Sequence, residues 1–132
     1  MPAYIDLGAA YIEKKMYPEA IAALDQGLSV ERDNTFAMSA LVYAYAASGK
    51  RDEALKVLDR MKELSSQRYV APTHLASAYA GLGEKEQAFQ LLEKAYEQHD
   101  DGLIYLKVAT QFDSLRSDPR FADLVRRVGL PQ

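Results

Sequence analysis

Residues 41–58 read Leu-Val-Tyr-Ala-Tyr-Ala-Ala-Ser-Gly-Lys-Arg-Asp-Glu-Ala-Leu-Lys-Val-Leu, and residues 75–92 read Leu-Ala-Ser-Ala-Tyr-Ala-Gly-Leu-Gly-Glu-Lys-Glu-Gln-Ala-Phe-Gln-Leu-Leu. The two stretches are one pattern displaced along the chain, and residues 7–24 carry it a third time at the same interval. Four columns hold across all three copies: Leu7, Leu41 and Leu75; Tyr11, Tyr45 and Tyr79; Ala20, Ala54 and Ala88; Leu24, Leu58 and Leu92. A fixed period of about 34 residues marks a stacked repeat architecture, in which each unit needs its neighbour to bury its apolar face.

A fifth column holds Gly49 and Gly83, with Lys15 in the first copy. Each precedes a charged run of helix formers, so the column marks a helix-to-helix corner where the backbone is pushed to positive φ. Every repeat is then a helical hairpin. The expected helices cover about 2–14, 18–31, 35–48, 52–64, 71–82 and 86–98, and Pro18 and Pro72 fall in first turns, where a missing N–H costs nothing. In the first hairpin Tyr4, Leu7 and Tyr11 form a stripe at i, i+3 and i+7, expected to face the second helix and to be core. The second helix answers with Ala20, Leu24 and Gly27, repeated as Ala54, Leu58 and Met61 and as Ala88, Leu92 and Ala95; the alanines are placed at the closest helix crossings.

These columns resemble the tetratricopeptide repeat, whose pattern is matched by Tyr4, Leu7-Gly8, Tyr11, Ala20, Leu24 and Gly27, and more loosely at Met38 and Pro72, Val42 and Ala76 in the later copies. The resemblance implies an all-α, α-α superhelix of three hairpins plus C-terminal capping helices, in one domain with repeats at about 1–34, 35–68 and 69–100 and a capping segment at 101–132. From residue 69 onward, and in Phe112-Asp113-Ser114-Leu115-Arg116-Ser117-Asp118-Pro119-Arg120-Phe121, the chain also looks like the closing segment of bacterial multidomain regulators. Their repeat arrays follow winged-helix, serine/threonine kinase or adenylate cyclase domains. That likeness implies a cytoplasmic chain or the extracytoplasmic part of a membrane-anchored regulator. On residues alone, Phe121, Leu124, Val125 and Val128 share one helical face, with Ser117 as the expected N-cap and Gly129 after the last turn, as befits a helix that covers an open end.

The 132 residues suit one domain, and the absence of cysteine removes disulfides, thiolate metal sites and thiol nucleophiles. A net charge of −3 argues against a general nucleic-acid binder. The longest apolar run, Ala40 to Ala47, is far shorter than the roughly 20 residues of a span, so no membrane insertion is expected. No basic leader precedes Tyr4, and the chain reads as if it starts inside its folded unit.

Catalytic groups do not gather in the sequence. It has no phosphate loop and no nucleophile elbow, and its two histidines, His74 and His99, fall on different expected elements. Asp100 and Asp101 beside His99 read as a helix-boundary cap rather than a metal site. No cofactor and no metal are expected. The resemblance implies that the first helices line a concave groove, so the residues that the columns leave over are expected to face it: Ile5, Ala9 and Ile12; Phe36, Ser39, Tyr43 and Ala47; Val70, Thr73, Ser77 and Ala80. Within that groove Tyr43 is the expected anchor. The lining is apolar to weakly polar, which points to an apolar peptide or protein partner. The basic cluster with which some tetratricopeptide proteins hold acidic tails is absent, since Ile5, Ala9, Ala40 and Val70 occupy those positions, with His74 the only polar residue among them. The reading is a non-catalytic interaction scaffold or, alternatively, a regulatory segment of a bacterial signalling protein, with pairing of two copies through the first helix a further expectation.

Overall fold

The computed structural model describes residues 2–106 and 110–129. Its helices are α1 (Pro2–Glu13), α2 (Tyr17–Val30), α3 (Thr35–Ala47), α4 (Arg51–Gln67), α5 (Pro72–Gly81), α6 (Lys85–Glu97) and α7 (Pro119–Val128), with two 3₁₀ turns, η1 (Asp101–Tyr105) and η2 (Thr110–Leu115), between α6 and α7. Among the described residues there is no strand. The architecture is an all-α repeat superhelix: α1 pairs with α2, α3 with α4 and α5 with α6, and the first helices α1, α3 and α5 lie side by side.

Corners end as the glycine column requires. Gly49 and Gly83 hold φ of 81° and 79°, and Lys15 takes the same left-handed conformation at 60° despite its Cβ. At each corner the amide just past the turn donates back to the tyrosine column: Met16 to the Tyr11 carbonyl, Lys50 to Tyr45 and Glu84 to Tyr79, at 2.9, 2.8 and 2.9 Å. This six-to-one bond satisfies a carbonyl that the helix end would otherwise leave unpaired.

The column alanines Ala20, Ala54 and Ala88 are fully buried, as are Leu24 and Leu92. The stripe opposite α2 is not the expected one. Tyr4 and Leu7 are 42% and 44% exposed, while Ile5 and Ile12 are buried at 4% and 1%. Ile5 lies against Gly27, where a Cβ would come within 2.6 Å of its side chain, and Leu24 lies equally close to the missing Cβ of Gly8. The stripe that pairs within the hairpin is therefore Ile5, Gly8 and Ile12. The Leu7 column serves a different contact. Leu41, the counterpart of Leu7, is buried with Ala20 and Leu24 because α2 packs on α3 from the preceding repeat, and α1 has no such helix against it; Met38, the counterpart of Tyr4, is buried instead with Ala54, Leu58 and Met61 of α4. α3 is buried on most sides because it lies between two hairpins, which explains its nearly unbroken apolar sequence.

The second helices begin at Tyr17, Arg51, Lys85 and Pro119, at one constant interval along the chain. α7 thus takes the place of the second helix of a fourth unit, whose first helix is replaced by η1 and η2. Phe121, Leu124 and Val125 bury against this end of the stack. The N-cap of α7 is Asp118, not Ser117: its carboxylate accepts from the Arg120 amide at 2.9 Å. The repeat interval extends to side chains as well. Arg120 bonds Glu86 at 3.0 Å and Arg127 bonds Glu93 at 2.9 Å, each reaching back by one full repeat, and the two guanidinium groups lie 4.3 and 5.1 Å over the Phe89 and Tyr96 rings. These arginines clamp α7 to α6.

Candidate functional site

Helix α5 begins at Pro72 behind Ala71, which has no side chain with which to cap it. The cap comes from Asp100, beyond the end of α6, whose carboxylate accepts the Thr73 amide at 3.0 Å, the Thr73 hydroxyl at 3.0–3.1 Å and the Gly102 amide at 2.8 Å. The expected cap role of this acidic pair therefore falls to Asp100, acting on another helix. Gly102 is obligatory here because a Cβ would stand 2.2 Å from the Thr73 hydroxyl. This junction turns η1 and η2 onto the inner side of the stack. There Ser114 donates to the Ala80 carbonyl at 3.0 Å, and Thr110 donates to the Glu13 carboxylate of α1 at 2.6 Å.

Between α1, α3, α5 and these turns lies a cavity of about 590 Å³, walled by Ala9, Ala10, Ile12, Glu13, Phe36, Ser39, Thr73, His74, Ser77, Gly102, Gln111 and Phe112. That volume lies within the usual range for ligand pockets. It exists because alanine, serine and glycine stand where larger residues would meet. The Ser39 hydroxyl is turned back to the Phe36 carbonyl at 2.7 Å, so this part of the wall is effectively apolar. Phe36 meets the His74 ring edge-on at 6.0 Å, and the His74 Nδ1 is 2.7 Å from the Thr35 hydroxyl. Burial lowers the His74 pKa, against a smaller opposing effect of Asp100, and keeps the ring neutral at pH 7.

A second hollow of about 320 Å³ adjoins the first at Gln111 and is walled by Tyr43, Ala46, Ala47, Ala80, Gly81, Thr110, Asp113 and Ser114. The Tyr17 and Tyr43 rings meet edge-on at 6.2 Å. Burial, reinforced by the Tyr17 hydroxyl and then by Asp113 and Glu13, pushes the Tyr43 phenol up to about 12.

Of the residues expected to line a groove, Ala9, Ile12, Phe36, Ser39, Thr73 and Ser77 come together on the large cavity, and Tyr43, Ala47 and Ala80 on the adjoining one. Ile5 does not, because it is buried against α2. Val70 is buried outside both hollows. Glu13, His74, Gln111 and Phe112 are walls that the columns did not single out. Glu13 is one helical turn from Ala9 and so was within reach of the periodicity; the two tail residues were not.

Two family models described as tetratricopeptide repeat match the chain, at residues 11–71 and 73–98. The chain belongs to the tetratricopeptide-repeat family. A search of the curated proteins and a search of the solved structures each gave no match. Repeats of this family serve protein–protein interaction, and the inner helix faces of this tetratricopeptide array carry its two hollows. Among the described residues no helix is long and apolar enough to cross a membrane.

Proposed function

We propose that this tetratricopeptide array is a non-catalytic scaffold that receives an apolar peptide or protein partner on its inner face. The observation that supports this reading is the cavity itself, a preformed apolar space to which three successive first helices contribute side chains. Partner apolar groups entering it would leave water without displacing core residues, the condition for anchor-type recognition. Ala9, Ile12, Phe36, Ser39, Thr73 and Ser77 are the proposed contacts in the large cavity, and Tyr43 and Ala47 in the small one. The test is affinity capture with the chain and with a Phe36→Ala/Tyr43→Ala variant whose helicity is checked by circular dichroism. Loss of captured partners with the fold intact supports the groove, and undiminished capture refutes it.

A second reading, a regulatory segment of a larger bacterial signalling protein, is favoured by the exposed Leu7, whose counterpart Leu41 in the next repeat is covered by the preceding repeat's α2. Such a surface suits a preceding helix or a second copy of the chain. Light scattering from micromolar to millimolar concentration, with and without Leu7→Asp, separates the two. Self-association abolished by the substitution identifies the copy, and a monomer throughout leaves the face to another segment.

A further inference from the structure

The two hollows meet the tail differently from an open groove. η2 crosses the C-terminal ends of the inner helices, tied to α1 through Thr110 and Glu13 and to α5 through Ser114 and the Ala80 carbonyl. A long helix or strand running the length of the inner face would collide with η2, whose Phe112 is itself buried in the core. The space left is short and deep. Glu13 borders the large hollow, its carboxylate accepting from the Thr110 hydroxyl, whereas Asp113 borders the small one already paired with Arg116 at 2.8 Å; the His74 ring is neutral, and among the described residues neither wall includes a lysine or arginine, so Glu13 is the charge that the large hollow presents.

We infer that the occupant is a short peptide segment that inserts one bulky apolar side chain into the large cavity and sets an adjacent lysine or arginine against Glu13. This deepens the scaffold reading and rests on it. The apolar side chain would lie between Phe36 and Phe112, over the small side chains of Ala9 and Ser77. The flanking cation would meet the exposed Glu13 carboxylate at the rim, where opposite charge steers association and sets register. The expected ligand is thus opposite in charge to an acidic tail.

The test uses the full chain and three acetylated, amidated heptapeptides whose central residues are Lys-Phe-Lys, Lys-Ala-Lys or Glu-Phe-Glu, followed by amide chemical shifts in a ¹H–¹⁵N titration. The Lys-Phe-Lys peptide is expected to move the Ser39, Ser77 and Gln111 amides, and each of the other two to bind at least about fivefold more weakly. Ser77→Leu, which projects into the cavity, should abolish those shifts. Should that variant fail to fold, Glu13→Gln, at an exposed position, provides the second arm: it should bring the Lys-Phe-Lys and Glu-Phe-Glu affinities within about twofold of each other.

Equal affinity for the phenylalanine and alanine peptides, a preference for the acidic peptide, shifts confined to other surfaces, or no binding of any peptide would each overturn the inference. A captured partner that binds Ser77→Leu as well as it binds the parent chain would also overturn it, yet leave the scaffold role standing.

Discussion

Replacing Asp100 by alanine removes one carboxylate and strands three donors on two different elements. The Thr73 amide and hydroxyl lose their acceptor at a residue that is only 5% exposed, and the Gly102 amide loses its own at a partly buried turn. Loss of an N-cap costs about 1 kcal/mol, and leaving a buried donor unpaired costs about 1–3 kcal/mol. Water reaches Gly102 more easily than Thr73, so the combined loss should be roughly 2–4 kcal/mol. With an unfolding entropy near 2.1 cal/mol/K per residue over 132 residues, Tm should fall by roughly 7–14 °C. The assay is thermal and urea unfolding followed by circular dichroism at 222 nm, with Asp101→Ala as the neighbour control. Asp101 is exposed, so its loss should cost no more than about 0.5 kcal/mol. A second readout is independent of stability. Asp100 holds the His74 pKa up against burial, so its removal should move the histidine titration to lower pH. If Asp100→Ala and Asp101→Ala unfold alike and the His74 titration stays in place, the long-range cap is not the contact described.

Lys15 sits in the left-handed conformation that Gly49 and Gly83 occupy in the later repeats; Lys15→Gly should therefore stabilise the chain by roughly 0.5–1 kcal/mol, and a lowered urea midpoint would contradict it. Ala54 is fully buried at a helix crossing, so Ala54→Phe should cost about 1–3 kcal/mol by overpacking, and an unchanged Tm would show that the crossing is looser than described. His74 has a folded-state pKa below its ordinary value of 6.5. Its contribution to stability is therefore fully present above about pH 6.5 and is lost as pH falls through the lowered folded value, because the unfolded chain takes up the proton first. His74→Gln should shrink the drop in Tm between pH 7.5 and 5.5, a range that stays above most carboxylate titrations; an identical drop in both proteins would contradict the assignment.

The columns at Tyr11, Ala20 and Leu24 could be read from the sequence because the same contact recurs in every hairpin, and repetition separates a structural constraint from chance. The same averaging misplaced Tyr4 and Leu7. A column states that a residue type is needed in most repeats, whereas its burial depends on the neighbour present at that repeat, and α1 has none on the face of Leu7. Ile5 and Ile12 look like leftovers to a column search, yet they are what fits around Gly27 and Leu24. At the candidate site, Phe36, Ser39, Thr73 and Ser77 could be named because the resemblance puts the first helices on an inner face and the columns leave these positions over. Gln111 and Phe112 did not. Residues 110–115 form 3₁₀ turns, which have neither the alternation of a strand nor the periodic stripe of an α-helix, and their position on the inner face follows from the bonds of Asp100 to Thr73 and of Ser114 to Ala80, partners far away in sequence.

Most stacked-repeat proteins are indifferent to their own length, because each unit touches only its neighbours and units are gained or dropped without penalty. The bond from Thr110 to Glu13 spans 97 positions in the chain and ties η2 to α1. One more hairpin between them would carry that hydroxyl a full repeat away from its acceptor and pull η2 off the inner wall. That bond therefore sets the spacing between α1 and η2, and with it the length of inner wall that an incoming molecule meets.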